Sequence, residues 1–190
     1  MSKPVLQIVI ASTRPGRVGL PVGQWFAAAA REHAGFEVEV VDLTEVGLPL
    51  LDEPNHPRLG QYEHQHTRDW SATVSRADAF VFVMPEYNHG FNAALKNAID
   101  FLYREWAHKP VGFVSYGGIA AGTRAVQLLK PVLTAVQLTP ALAAVNIPFV
   151  AQFVDDEGRF TPNEQIAGGV APLLDELVRL TGALRGARES

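Results

Sequence analysis

Apolar residues along the chain come in short solid runs separated by longer amphipathic stretches. Residues 5–11 (VLQIVIA) are β-branched and nearly all apolar, the pattern of a strand buried on both faces. Residues 12–16 break that pattern. A helix is predicted from Leu20, with Pro21 in its first turn, where a missing N–H does no harm. Val18, Val22, Trp25, Phe26 and Ala29 recur on one face at spacings of three and four. Gly35 ends this segment, and residues 36–43 (FEVEVVDL) read as a second strand. Pro49, Pro54, Pro57 and Gly60 keep residues 47–61 irregular. A short helix follows over 62–76, with Trp70 and Val74 facing inward. Residues 79–84 (AFVFVM) form a third strand, and 91–106 have helical periodicity through Phe91, Leu95, Ala98, Ile99 and Leu102. Strand four is 111–116. A helix over 122–137 is predicted to kink at Pro131 or to have a joint there. Strand five is 142–147, and a last helix spans 165–184 through Leu173, Leu174, Leu177 and Leu180.

Strands alternating with helices predict a three-layer α/β sandwich around a five-stranded parallel sheet. Its crossovers are right-handed and place helices on both faces. Ligands of such sheets sit at the carboxyl ends of the strands, near the switch in strand order. The loops after strands one, three and four are therefore where chemistry is expected.

Composition narrows the choice. With 190 residues, 47% of them hydrophobic, residues 1–190 are expected to form a single domain with a real core. A formal net charge of −4 lacks the basic footprint of a nucleic-acid binder. The absence of cysteine removes disulfides, Cys-ligated zinc, Cys-bound iron–sulfur clusters and thiol nucleophiles. No signal-peptide h-region and no apolar run of membrane-spanning length are present, so the expectation is a soluble, cytoplasmic protein.

The first loop reads Ser12-Thr13-Arg14-Pro15-Gly16-Arg17-Val18-Gly19. Hydroxyls, two arginines and free N–H groups at a helix start suit a single phosphate. A capped turn with exposed arginines explains the same residues. G-x-G-x-x-G is absent, so this is no dinucleotide fingerprint. The second loop, Pro85-Glu86-Tyr87-Asn88-His89-Gly90, offers a ring face and amide groups, or is an ordinary turn whose Asn88 caps a helix. The third, Ser115-Tyr116-Gly117-Gly118-Ile119-Ala120-Ala121-Gly122-Thr123-Arg124, is close to a nucleotide P-loop but lacks its lysine. Its paired glycines let backbone N–H groups approach a flat ligand.

Taken together in this order, the three loops resemble those of the NADPH-dependent FMN reductase family, which includes quinone, azo-dye and chromate reductases. The likeness runs from about Val5 to Leu180. Its most specific part is PEYNHGFNAALKNAID, residues 85–100, similar to the family's PEYN…LKNAID signature. The family's phosphate loop, G-S-x-R-x-x-S, is matched by Ser12 and Arg14, with Ala11 for the glycine and Arg17 for the second serine. Asn92-Ala93 stands where Pro-Gly is common. The resemblance implies a flavodoxin-like fold with strand order 2-1-3-4-5. It implies FMN as cofactor and NADPH or NADH as hydride donor. Ser12, Thr13 and Arg14 would hold the FMN phosphate, with the N–H groups through Val18 and Gly19. Arg17 would either replace the missing hydroxyl or face NADPH. Pro85, Glu86, Tyr87 and Asn88 would line one side of the flavin ring. Ser115, Tyr116, Gly117 and Gly118 would approach its pyrimidine end through backbone N–H donors. No catalytic side chain is implied, because the chemistry belongs to the flavin. The resemblance also implies a small-molecule electron acceptor and a homodimer or homotetramer pairing through the region of Phe91, Phe101, Tyr103 and Trp106; the plain alternative is that these residues only fill the monomer core.

Other residues read more plainly. His64 and His66, two apart, do not share a helix face and are expected at the surface, with no metal. His89 faces either substrate or solvent. Asp42 reads as a strand-end cap, and 155–158 as a solvated acidic loop. The rival functions are a flavodoxin-type electron carrier without NAD(P)H turnover and, disfavoured by the missing lysine, a phosphate-binding hydrolase or NTPase.

Overall fold

The computed structural model describes residues 3–188. The central sheet holds β1 (Val5–Ile10), β2 (Glu37–Asp42), β3 (Ala79–Tyr87), β5 (Pro110–Tyr116) and β6 (Thr139–Ile147), all parallel, in the order β2-β1-β3-β5-β6. These are the five expected strands in the expected order. A sixth, β4 (Gly90–Phe91), pairs antiparallel with the end of β3.

The side-chain period of two sends β3 to both faces. Phe80, Phe82 and Met84 pack with Trp70, Leu95, Trp106 and Leu129 in one layer; Val81 and Val83 pack with Leu6, Phe26, Leu173 and Leu177 in the other. The first layer is built by α3 (Gln65–Ser75), α4 (Ala93–Asp100) and α5 (Thr123–Ala135). The second is built by α1 (Gly19–His33) and α7 (Val170–Arg188). Burial on both faces explains why the central strands lack polar alternation.

Four helix expectations change. The helix predicted over 91–106 is only α4, because Phe91 belongs to β4 and the chain leaves the helix after Asp100. Phe101, Leu102 and Trp106 are all buried, and the Trp106 indole donates to the Ile99 carbonyl at 3.1 Å. Their burial is gained by folding inward rather than by continuing the helix. The last helix is divided at Gly168–Gly169 into α6 (Glu164–Ala167) and α7, as two adjacent poor helix formers allow. α3 starts at Gln65 rather than Tyr62, where the Glu53 carboxylate accepts from the N–H groups of Glu63 (2.8 Å) and His64 (3.0 Å). Finally, α5 runs through Pro131, whose absent N–H would have bonded the carbonyl of solvent-exposed Gln127. A short α2 (Leu43–Val46), capped by Asp42, was not expected.

Candidate functional site

The loops after β1, β3 and β5 meet at the carboxyl edge of the sheet. The Ala11 N–H donates to Val83, and the Asn92 amide donates to the Ala11 carbonyl at 2.7 Å, which ties the first loop to the β3–β4 hairpin. Within the first loop Gly16 has φ 69° and the Arg17 N–H closes a turn onto Arg14. Ser12 is buried, whereas Thr13 and Arg14 are exposed. At the start of α1, Val18 provides no side-chain cap, and the first turn contains no acidic residue. The N-terminal N–H groups and their share of the helix dipole therefore open toward the cleft.

Arg17 lies behind this loop. Its guanidinium donates to the Ser12 carbonyl at 2.7 Å and to both oxygens of Asp42 at 2.5 Å. Asp42 is 7% exposed and also accepts from the Thr44 N–H, so the expected strand-end cap is present. Burial alone would raise the Asp42 pKa, but Arg17 and the Thr44 N–H outweigh it and hold it low. The alternatives in which Arg17 meets a phosphate or NADPH find its guanidinium already engaged. Nothing in residues 36–43 marked Asp42 as its partner.

The second loop is a β-hairpin. Asn88 (φ 50°) and His89 (φ 67°) occupy the left-handed region between Tyr87 and Gly90, the conformation of a two-residue type I′ turn. Asn88 therefore does not cap α4; Asn92 occupies that position, with its side chain on Ala11. The Tyr87 hydroxyl shares a hydrogen bond with Ser12 Oγ at 2.9 Å.

The third loop is pinned from inside. The Ser115 hydroxyl donates to the Ala121 carbonyl at 2.8 Å and lies 3.0 Å from the Asn146 amide oxygen. The Gly117 N–H goes to Ile147, while the Gly118 carbonyl accepts from Ala121 and Phe149. Gly118 is left to present its own N–H. Glu86, its side chain 6% exposed, bonds Arg124 through Oε1 near the start of α5, while its Oε2 is buried without a hydrogen-bond partner among the described residues. Burial alone would raise the Glu86 pKa; Arg124 and the Ala125 N–H bring it below the ordinary value.

A cleft of about 140 Å³ joins the three loops through Ser12, Arg14, Val18, Pro85, Glu86, Tyr87, Tyr116 and Gly117. Val150, from the segment after β6, completes its wall and carried no signal in the sequence. Thr13 instead lines a neighbouring apolar cavity of about 410 Å³ with Leu43, Leu48, Leu50 and Asn97. Gly19 is buried beneath Tyr116: a Cβ there would stand 2.4 Å from the Tyr116 hydroxyl. Ser115 holds the loop and Asn88 forms the turn. An open helix N-terminus, an exposed arginine and a buried hydroxyl without a partner on Tyr116 fit a phosphate-bearing cofactor. Among the described residues no cluster suits a metal ion, and no helix is long and apolar enough to cross a membrane.

A parallel sheet in this order, with the loops after β1, β3 and β5 gathered at its carboxyl edge, defines a flavodoxin-like fold. FerB, a flavoenzyme NAD(P)H:(acceptor) oxidoreductase from Paracoccus denitrificans, has the same fold, with a TM-score of 0.73 at 20% identity over 95% of this chain and 98% of its own. The family described as NADPH-dependent FMN reductase matches residues 5–152, and the chain belongs to it. An NAD(P)H-dependent FMN reductase of Schizosaccharomyces pombe is 37% identical over 164 residues, 83% of this chain and 82% of that protein. A probable NADPH:quinone oxidoreductase of Oryza sativa is 37% identical over 101 residues, 52% of this chain and 50% of its own. The chain is thus an oxidoreductase of the FMN- and NAD(P)H-dependent class.

Proposed function

We propose that the cleft binds FMN with its phosphate at the start of α1, and that NAD(P)H and a small electron acceptor use this site in turn. The observation that carries the reading is the α1 N-terminus, uncapped and free of acidic residues, opening beside Arg14 into the cleft bounded by the 85–88 hairpin. Ser12 and Arg14 would hold the phosphate, with Thr13 and the N–H groups through Val18 and Gly19. Arg17 supports the loop through the Ser12 carbonyl and Asp42. Pro85, Glu86, Tyr87 and Asn88 would flank the ring on one side, and Tyr116, Gly117 and Gly118 on the other. Bound FMN supplies the redox chemistry, accepting hydride and returning two electrons to the acceptor. The chain's part is to orient and to stabilise charge. The Gly118 N–H is a fixed donor that needs no reorganisation as negative charge develops. Ser115 maintains that loop through Ala121.

The acceptor class is a quinone, free flavin, azo compound or similar small oxidant. Residues 1–190 act as a single FMN-binding domain in the cytoplasm. Exposed Leu50 (82%), which lines the larger cavity, and the adjoining Leu51 (42%) support assembly into a dimer or tetramer. A visible spectrum with added FMN, before and after anaerobic NADPH, tests the reading. Bound flavin that bleaches and recovers with a quinone is expected. Bound flavin that NADPH fails to bleach would make the protein an electron carrier, and no flavin binding would overturn the site.

A further inference from the structure

Tyr116 belongs to the third loop, yet its side chain reaches the first. The residue is 4% exposed, and its hydroxyl has no hydrogen-bond partner among the described residues. A buried hydroxyl left unpaired is costly, and native proteins seldom keep one without a use. Its position is specific. A Cβ on Gly19 would meet that oxygen at 2.4 Å and the Ser12 Cβ at 3.5 Å, so the hydroxyl lies against the first residue of α1 and beside Ser12. Ser12 Oγ is shared with the Tyr87 hydroxyl at 2.9 Å, and Tyr87, itself 38% exposed, lines the same cleft as Tyr116. Arg14 and Val18 line the same cleft.

Resting on the FMN reading above, we propose that the Tyr116 hydroxyl is a further donor to the cofactor's phosphate, reached when Tyr87 turns away from Ser12. The third loop would then serve the phosphate through a side chain, as well as the ring through its backbone. Burial and the neighbouring Tyr87 outweigh the opposing pull of Ser12, Arg17 and Arg14 and hold Tyr116 above the ordinary tyrosine range, so the proton to be donated stays in place at neutral pH. Gly19 is required because any side chain there would displace the hydroxyl.

The test is Tyr116→Phe, with FMN, riboflavin and inorganic phosphate each titrated calorimetrically into flavin-free protein. Riboflavin carries the ring without the phosphate. FMN and phosphate affinity should fall by on the order of tenfold, the scale of one hydrogen bond to a charged group, with riboflavin affinity unchanged. An equal loss for FMN and riboflavin would overturn the proposal in favour of a ring contact. Unchanged FMN affinity would overturn it outright. Thermal unfolding of the flavin-free variant provides the structural control: removing an unpartnered hydroxyl should not lower the midpoint, and a clear drop would mean that the hydroxyl serves the fold instead. Failure of the wild-type protein to bind FMN would count against the underlying site.

Discussion

The starts of α1 and α5 look alike as backbone. Each follows a buried strand and a glycine-containing loop, and neither receives a side-chain cap from its own N-cap residue, Val18 in one and Gly122 in the other. Each also has an arginine–carboxylate pair. The carboxylate's position separates them. Asp42 sits behind the first loop, holding Arg17 and capping α2, so the α1 terminus remains positive and open. Glu86 comes from the neighbouring strand and places its carboxylate near the start of α5 itself, paired with Arg124. One terminus is left for an outside anion, and the other is neutralised from within. A strand–loop–helix motif is therefore no guide to phosphate binding until its long-range carboxylates are known.

Substitutions can break that contrast. The largest effect is expected from Asp42→Asn, which leaves the half-buried Arg17 without its charge partner. We expect a loss of about 3 kcal/mol in urea unfolding, the scale for a broken buried pair, and weaker FMN binding as the loop loosens. Next is Arg14→Ala, which should weaken FMN binding by about 1.5–3 kcal/mol with fold stability unchanged, since Arg14 is exposed. Flavin fluorescence titration reads it, and unaltered affinity would remove Arg14 from the phosphate site.

Gly122→Ala sharpens the comparison from the other side. At φ 81° its Cβ would lie 2.8 Å from both the Ser115 Cβ and the Tyr116 nitrogen, so about 1–3 kcal/mol of stability should be lost. The smallest effect is expected from Glu86→Gln, about 1 kcal/mol, because the amide oxygen can still accept from Arg124 and Arg124 is 44% exposed. pH separates the charged pairs from the glycine. Asp42 and Glu86 both have folded pKa values below their ordinary 3.8 and 4.5. The stability each adds is complete at neutral pH and is lost as the pH falls through the carboxylate range. Unfolding free energies measured from pH 7 to pH 3 should therefore fall less steeply in Asp42→Asn and Glu86→Gln than in the parent, and Gly122→Ala should follow the parent's slope.

Much of this was legible along the chain. Solid apolar runs marked four of the five long strands and an alternating segment, 36–43, the other, and the order of loops with the PEYN segment pointed to the family. The hairpin was misread because PEYNHGF carries no alternating strand after the turn; Asn88-His89-Gly90 was the available signal, since asparagine and glycine tolerate such turns. The end of α4 was missed because Phe101, Leu102 and Trp106 keep helical spacing while their burial is satisfied by packing on β3.

By itself the sequence determined the alternation of strands and helices, and the residue types at the sheet edge where the three loops meet, because periodicity and turn chemistry act over a few residues. Only the tertiary structure decided which helix start stays open. That outcome depends on Arg17 meeting Asp42, Glu86 meeting α5 and Tyr116 reaching Gly19, contacts between residues far apart in the chain. Electrostatic sign at a helix end is set by whatever the fold brings there, and no local pattern encodes it.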